Sequence, residues 1–360
     1  MVYKEQLPTP SLVVNLEVLQ RNLRVMASSA KDVGVNLRPH IKTHKSLRIA
    51  KMQIEEGAIG VTCATVSEAE VMAAGGIQDI FIAYPLFGDY QLTRAAELNK
   101  TCRLTVAFDS ARAAQRWSAW GVEHDTEFKL VMIINTGGNR DGVLPAEALP
   151  LARAVEDLPN IKLMGVMTHE GHMHKNPDVG SMLQAAQRAA TDLVFAASSL
   201  REAGFPITTV SSGSSPACQG KTQVAGITEW RPGTYVFNDL NEMKFVIKEE
   251  DVALRVLATV VSNPAPDRFI VDAGGKALSE GSRPGFGHGF IPCAPEARIV
   301  KVNEEHGIIE AKPGALSLGQ RVEIIPVHVC TVVNLSNGYY LEKPDGSLEY
   351  WSVDARGLVW

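Results

Sequence analysis

Five short segments of this chain carry side chains whose types and spacing suit chemistry. The first is Arg38-Pro39-His40-Ile41-Lys42-Thr43-His44-Lys45. Burial and nearby cations favour the neutral amine of a lysine, and a neutral amine is a nucleophile. His40, His44, Lys45 and Arg38 would supply that positive surround for Lys42. The second segment, Asn135-Thr136-Gly137-Gly138-Asn139-Arg140-Asp141-Gly142-Val143, has glycines that let backbone approach a ligand. Its Arg140 can hydrogen-bond a ligand ring or a phenolic oxygen. The third, Thr168-His169-Glu170-Gly171-His172-Met173-His174, concentrates imidazoles that suit general acid–base work or metal binding. The fourth, Ser211-Ser212-Gly213-Ser214-Ser215-Pro216, offers hydroxyls and backbone N–H groups as a phosphate cup, which Gly233 and Tyr235 could complete. The fifth is Pro326-Val327-His328-Val329-Cys330. On a strand, residues two apart share a face, so His328 and Cys330 would present nitrogen and sulfur together to a thiophilic divalent ion, zinc foremost. Each segment alone also fits an ordinary loop, or a buried thiol beside a satisfied histidine.

These segments matter only if the fold gathers them. From residue 15 to about 240 the pattern alternates between helical period and short apolar runs. Asn15 is an N-cap candidate, with Leu16, Leu19, Leu23 and Met26 on one helical face. An extended segment ending at Lys42 follows, then a helix carrying Ile49, Met52 and Ile54. Strands are expected at Val61–Ala64, Ile80–Ala83, Leu104–Phe108, Leu130–Ile134, Leu163–Met167, Thr208–Ser211 and Glu229–Val236. Thr65 and Glu68 suggest a capping box, and Gly75-Gly76 a helix stop. Eight strand–helix units over roughly 225 residues point to a closed (β/α)8 barrel of TIM type, with a doubly wound open sheet as the alternative. The working segments then fall at the C-terminal ends of barrel strands, where such folds do their chemistry. After residue 250, short strands broken by Gly, Pro and Asn give a mostly β domain. The expected division is a barrel over residues 10–245 and a β domain over 246–360 with residues 1–9.

Bulk properties restrict the function classes. A net charge of −5 and the lack of a basic run argue against nucleic acid as the main partner. The N-terminus lacks a signal-peptide layout, and no apolar stretch approaches the roughly 18–20 residues of a membrane span. Five cysteines without repeated spacing fit a reducing compartment, so a cytoplasmic location is expected.

Together the segments resemble the D-serine dehydratase / D-threonine aldolase family of fold-type III pyridoxal-phosphate enzymes, relatives of alanine racemase. The similarity runs in order over nearly the whole chain. It includes Leu7–Pro10, Arg38–Lys45, Asn139–Val143, Thr168–His172, Arg231–Asp239, Val271–Gly274 and Pro326–Cys330. Arg38–Lys45 together with the distant His-x-Cys is its most specific part. The resemblance implies an alanine racemase-like barrel, a C-terminal β domain and a homodimer. It makes Lys42, rather than Lys45, the Schiff-base residue for pyridoxal 5'-phosphate. It places Arg140 near the pyridoxal ring and Gly213, Ser214, Ser215, Gly233 and Tyr235 around the phosphate, beside Ser212 and His40. His328 and Cys330 become ligands of a divalent metal: zinc, or manganese or magnesium. Two departures stand out: Met173-His174 where relatives often carry Tyr, and Ser215 where they often carry Thr.

The implied activity is a lyase acting on small D-3-hydroxy amino acids. Dehydration gives a 2-oxo acid and ammonia, with Lys42 removing the Cα proton. Retro-aldol cleavage gives glycine and an aldehyde, with His169 or His172 as base. Within the family His-x-Cys is similar to the dehydratase arrangement and His-x-Asp to the aldolase one. An amino-acid racemase, and a non-catalytic pyridoxal-phosphate-binding protein, are the remaining alternatives.

Overall fold

The computed structural model describes residues 3–222 and 224–360. The chain divides into two compact units. One comprises Arg24–Lys42, Leu47–Gly233 and Leu358–Trp360; the other comprises the N-terminal residues up to Leu23, Thr43–Ser46 and Thr234–Gly357.

A first strand, β1 (Ser11–Asn15), belongs to the second unit. The first unit is built on eight strands: β2 (Asn36–Leu37), β3 (Val61–Cys63), β4 (Asp79–Pro85), β5 (Arg103–Phe108), β6 (Phe128–Ile133), β7 (Ile161–Met167), β8 (Thr209–Ser212) and β9 (Glu229–Trp230). All pair in parallel, in the order β2-β9-β8-β7-β6-β5-β4-β3. A parallel bridge between His40 and Thr62, with Thr62 N–H donating to the Pro39 carbonyl at 2.8 Å, returns the last strand to the first. The expected (β/α)8 barrel is therefore closed, and the open-sheet alternative is excluded.

Strand alternation explains why these runs read as continuously apolar. Ile80, Ile82, Leu104, Val106, Leu130, Met132 and Val166 face outward into one cluster, packed with helix residues such as Leu92, Trp117 and Leu193. The intervening Phe81, Ala107, Val131, Ile133 and Met167 form a separate cluster inside the barrel. Both faces of a parallel sheet are covered, so both registers of the period-2 pattern are apolar. The Val66–Ala74 helix is capped by Thr65 Oγ, which accepts from Glu68 N–H at 3.1 Å. Glu68 returns the bond to Ala64 N–H at 2.6 Å, one residue earlier than a standard capping box.

The second unit is mostly β, as expected. β10 (Leu254–Ala265) is its centre, pairing antiparallel with β1, β11 (Arg268–Val271) and β15 (Arg321–Pro326). β12 (Gly289–Phe290) pairs with β15; β13 (Arg298–Val302) and β14 (Gly307–Glu310) extend the sheet beyond β11. β16 (Gly338–Glu342) lies parallel to β1 and antiparallel to β17 (Leu348–Ser352). A short helix, Val329–Leu335, follows β15. No helix among the described residues is long and apolar enough to cross a membrane.

Candidate active site

Lys42 lies in a 3-10 turn, Ile41–Thr43, just after the His40 bridge. The sequence suggested an extended segment running to Lys42. Backbone bonds to the last barrel strand continue past Leu37, with Arg38 N–H donating to the Trp230 carbonyl and His40 N–H to the Pro232 carbonyl, each at 2.9 Å, so the extended segment runs to His40 before the 3-10 turn takes over. Lys42 lines a cavity of about 380 Å³ in the barrel unit, together with His40, Arg140, Asp141, Met167, His169 and Arg231. Of the surround expected from the neighbouring sequence, His40 lines this cavity with Lys42. Arg38 is bound between the carboxylates of Asp79 and Glu229, the latter at 3.1 Å. His44 and Lys45 belong to the β unit, where the Lys45 carbonyl accepts from Ala355 N–H at 3.0 Å. Arg140 and Arg231, from distant strand ends, line the cavity as well and add positive charge. Burial first, then Lys42, Arg140, Arg231 and His174, holds His169 well below the usual imidazole range. The same burial and neighbouring cations disfavour the imidazolium form of His169.

A second cavity, of about 230 Å³, is lined by Asn135, Thr136, Arg140, Asp141, His169, His172 and Lys175 among others. Arg140, Asp141 and His169 line both cavities, whereas His172 lines only this one. Burial lowers the His172 pKa, with Glu170 opposing and Lys175 assisting. The Asn135 side chain fixes the preceding loop by accepting from Gly137 N–H and Asn139 N–H, each at 3.1 Å.

Glu170 has a different task from its histidine neighbours. Its buried carboxylate accepts from Ser212 Oγ–H at 2.5 Å and from Gly213 N–H at 3.0 and 3.1 Å. It thereby anchors the Ser211–Ser215 loop, a role that the clustering of His and Glu in sequence did not reveal. Gly213 has φ of 110°, and a Cβ there would sit 2.7 Å from Cys218 Sγ. Arg231 was also missed as a site residue. It is buried, donates from Nε to Ser211 Oγ at 2.6 Å and from Nη2 to the Thr168 carbonyl, and so links three barrel strand ends. An Arg in an Arg-Pro-Gly run gives no sequence signal of that.

The loop fits a phosphate. Ser214 Oγ is buried without a hydrogen-bond partner, and a buried hydroxyl left unpaired is costly. A phosphate oxygen would accept from it, and the serines on either side, Ser212 and Ser215, are buried too. Gly233 is in the barrel unit, while Tyr235, 1% exposed, is in the β unit.

His328 and Cys330 lie in the β unit, but not on one strand as expected. β15 ends at Pro326; His328 is the extended N-cap residue, and Cys330 sits in the first turn of the Val329–Leu335 helix. The change from strand to helix still leaves the imidazole and thiol in hydrogen-bonding contact. Thr43 Oγ is 3.2 Å from Cys330 Sγ. The Cys330 sulfur first, then the hydrogen bond and charge of Asp239, push His328 up to about 11 against the lowering effect of burial. Burial, and then the Asp239 carboxylate, hold the nearby Glu242 well above the usual carboxylate range. A nitrogen and a sulfur donor side by side suit zinc or a similar thiophilic ion. No cluster of three or more His, Cys, Asp or Glu suited to a metal occurs among the described residues, so two protein ligands would leave positions open.

Comparison with known proteins agrees with this layout. A family model described as the N-terminal domain of alanine racemase matches residues 14–240, and one described as a putative serine dehydratase domain matches residues 253–341. The chain is 35% identical to a D-threo-3-hydroxyaspartate dehydratase from Delftia sp. strain HT23, over 96% of this chain and 97% of that one. It superposes on the crystal structure of D-threonine aldolase from Filomicrobium marinum with a TM-score of 0.91 and 31% identity, covering 100% of this chain and 98% of the other. A mutant D-threo-3-hydroxyaspartate dehydratase in the metal-free form gives a TM-score of 0.91 at 34% identity, with 98% and 99% covered. The chain belongs to the D-serine dehydratase and D-threonine aldolase family of pyridoxal-phosphate-dependent lyases.

Proposed function

We propose that this chain is a pyridoxal-phosphate- and divalent-metal-dependent lyase acting on D-3-hydroxy amino acids. The observation that carries the proposal is Lys42 in a barrel cavity walled by Arg140, His169 and Arg231. An amine among fixed cations suits an anionic cofactor that reacts with amines. Pyridoxal phosphate, when bound, supplies an acceptor for the electrons released at Cα, and the metal supplies a Lewis acid for the 3-hydroxyl. The chain's residues divide the remaining work. Lys42 Nζ carries the cofactor and removes the Cα proton. Ser214 and Ser215, with Gly233 and Tyr235, would hold the phosphate, while Glu170 takes the Ser212 hydroxyl and the Gly213 N–H and keeps their loop in shape; Arg140 and His40 would face the ring. His328 and Cys330 hold the ion, zinc in preference to manganese or magnesium because of the sulfur. The barrel unit, chiefly Arg24–Lys42 and Leu47–Gly233, thus serves the cofactor, and the β unit, which takes in Thr234–Gly357, is the metal-binding part; Met1 and Val2 lie outside the described residues.

Cys330 favours dehydration, since His-x-Cys resembles the dehydratase arrangement, and a dehydratase is among the relatives at 35% identity. Retro-aldol cleavage is the second reading. It is favoured by His169 on the wall of the cavity that Lys42 lines, placed as a base for the hydroxyl proton, with His172 as the further candidate. Incubating the purified protein with D-serine, D-threonine and D-3-hydroxyaspartate, with added zinc or manganese, separates the outcomes. Oxo acid with ammonia is expected; glycine with an aldehyde moves the assignment to an aldolase, and an L-enantiomer alone would sink the lyase reading. The proposal includes a homodimer, as the family resemblance implies. It also includes a cytoplasmic location, which the five free cysteines support.

A further inference from the structure

The Asp239 side chain is completely buried, and each of its oxygens has two donors. Oδ1 accepts from Asn241 N–H at 3.0 Å and Glu242 N–H at 3.1 Å. Oδ2 accepts from Val329 N–H at 3.0 Å and stands 3.1 Å from His328 Nδ1. One carboxylate therefore ties a turn at 239–242 to the start of the helix that carries Cys330. It also decides which imidazole nitrogen carries a proton. An ionised carboxylate can only accept, so Nδ1 carries an N–H, and Nε2 is the nitrogen left for an ion to take once it displaces any proton there. Metal-binding histidines commonly use such a partner on the second nitrogen to fix ring orientation and raise the basicity of the first.

We propose that Asp239 is the positioning residue of the metal centre, holding His328 with Nε2 toward the ion and anchoring the helix turn that presents Cys330. The proposal rests on His328 and Cys330 being the metal ligands. Its sharpest consequence comes from Asp239→Asn. An amide of the same shape has one accepting oxygen, so it can serve only one of the two donor pairs. With the oxygen toward Asn241 and Glu242, the NH2 group faces His328 Nδ1 and forces the ring proton onto Nε2. With the oxygen reversed, the 241–242 turn loses its acceptor.

The test is calorimetric titration of zinc into the full-length, cofactor-loaded, metal-stripped protein. Asp239→Asn is expected to bind zinc about 10–100-fold more weakly, with cofactor absorbance retained; zinc affinity equal to that of the parent would overturn the proposal. His328→Ala tests the underlying assignment separately. If it leaves zinc affinity unchanged, the metal assignment itself falls, and the role of Asp239 with it. If it abolishes binding while Asp239→Asn does not weaken it, Asp239 alone loses its role. A measurement on the unmutated protein guards against a variant that fails to fold. With histidine ring nitrogens labelled, NMR of the zinc-loaded protein should give His328 a protonated Nδ1 and a metal-shifted Nε2. Zinc on Nδ1 would refute the assignment.

Discussion

Lys42 and Lys45 stand in one basic run, and only the fold separates their tasks. Lys42 lines the barrel cavity, whereas Lys45 adopts φ of 48° in the β unit and gives its carbonyl to Ala355 N–H. Replacing Lys42 by Ala should abolish the absorbance near the visible edge of the lysine-bound cofactor and cut turnover by about 10²–10⁴-fold, the usual worth of a proton-transfer group. Lys45→Ala should leave that absorbance in place; the opposite pair of results would reassign the cofactor lysine. Residue types were legible in the sequence because chemistry restricts them: a lysine for the cofactor, hydroxyls for a phosphate, His and Cys for a soft ion. Partners were not. Arg38 read as a neighbouring cation, yet Asp79 and Glu229 hold it, and Glu170 read with the histidines, yet it faces Ser212 and Gly213. Both outcomes depend on contacts between residues more than 40 positions apart, which spacing along the chain does not encode.

Among the elements, the barrel strands were the most legible, because covering both faces of a parallel sheet leaves an unbroken apolar run. β1 was missed. Its apolar residues Leu12, Val13 and Val14 lie just ahead of the expected helix start at Asn15, and they pair with β10 and β16 in the β unit. The strand expected over Glu229–Val236 shrinks to Glu229–Trp230, since Pro232 cannot donate to a ladder. β7 shows how one residue type sets a strand contact. Its register shifts against β6 between Leu163 and Gly165, and Gly165 then lies against Thr209 of β8. A Cβ at Gly165 would come within 2.2 Å of the Thr209 carbonyl oxygen. Gly165→Ala must therefore push β8 away or strain the pair, at a cost of about 1–3 kcal/mol. A lowered melting temperature is the expected reading. Equal melting temperatures would mean that the close approach of β7 to β8 is not required.

At the level of the whole molecule, two family segments, residues 14–240 and 253–341, bring together two chemistries. The cofactor groups belong mainly to the barrel unit, and the metal donors His328, Cys330 and their partner Asp239 to the β unit. Within each unit the binding groups are fixed by bonds internal to that unit: Glu170 to the Ser212–Gly213 loop, Asp239 to His328 and Val329. Loading of one group therefore need not depend on loading of the other, while turnover of a 3-hydroxy substrate needs both. Chelation should accordingly separate binding from activity. Complete metal removal is expected to eliminate product formation from D-serine, D-threonine and D-3-hydroxyaspartate, to leave the cofactor's absorbance near its starting value, and to be reversed by added zinc. A racemase predicts something different, because Cα proton exchange gives the His–Cys pair no task. If turnover of all three substrates continues at the original rate without metal, the lyase assignment is lost. If the absorbance disappears along with the metal, the independence of the two sites is lost instead.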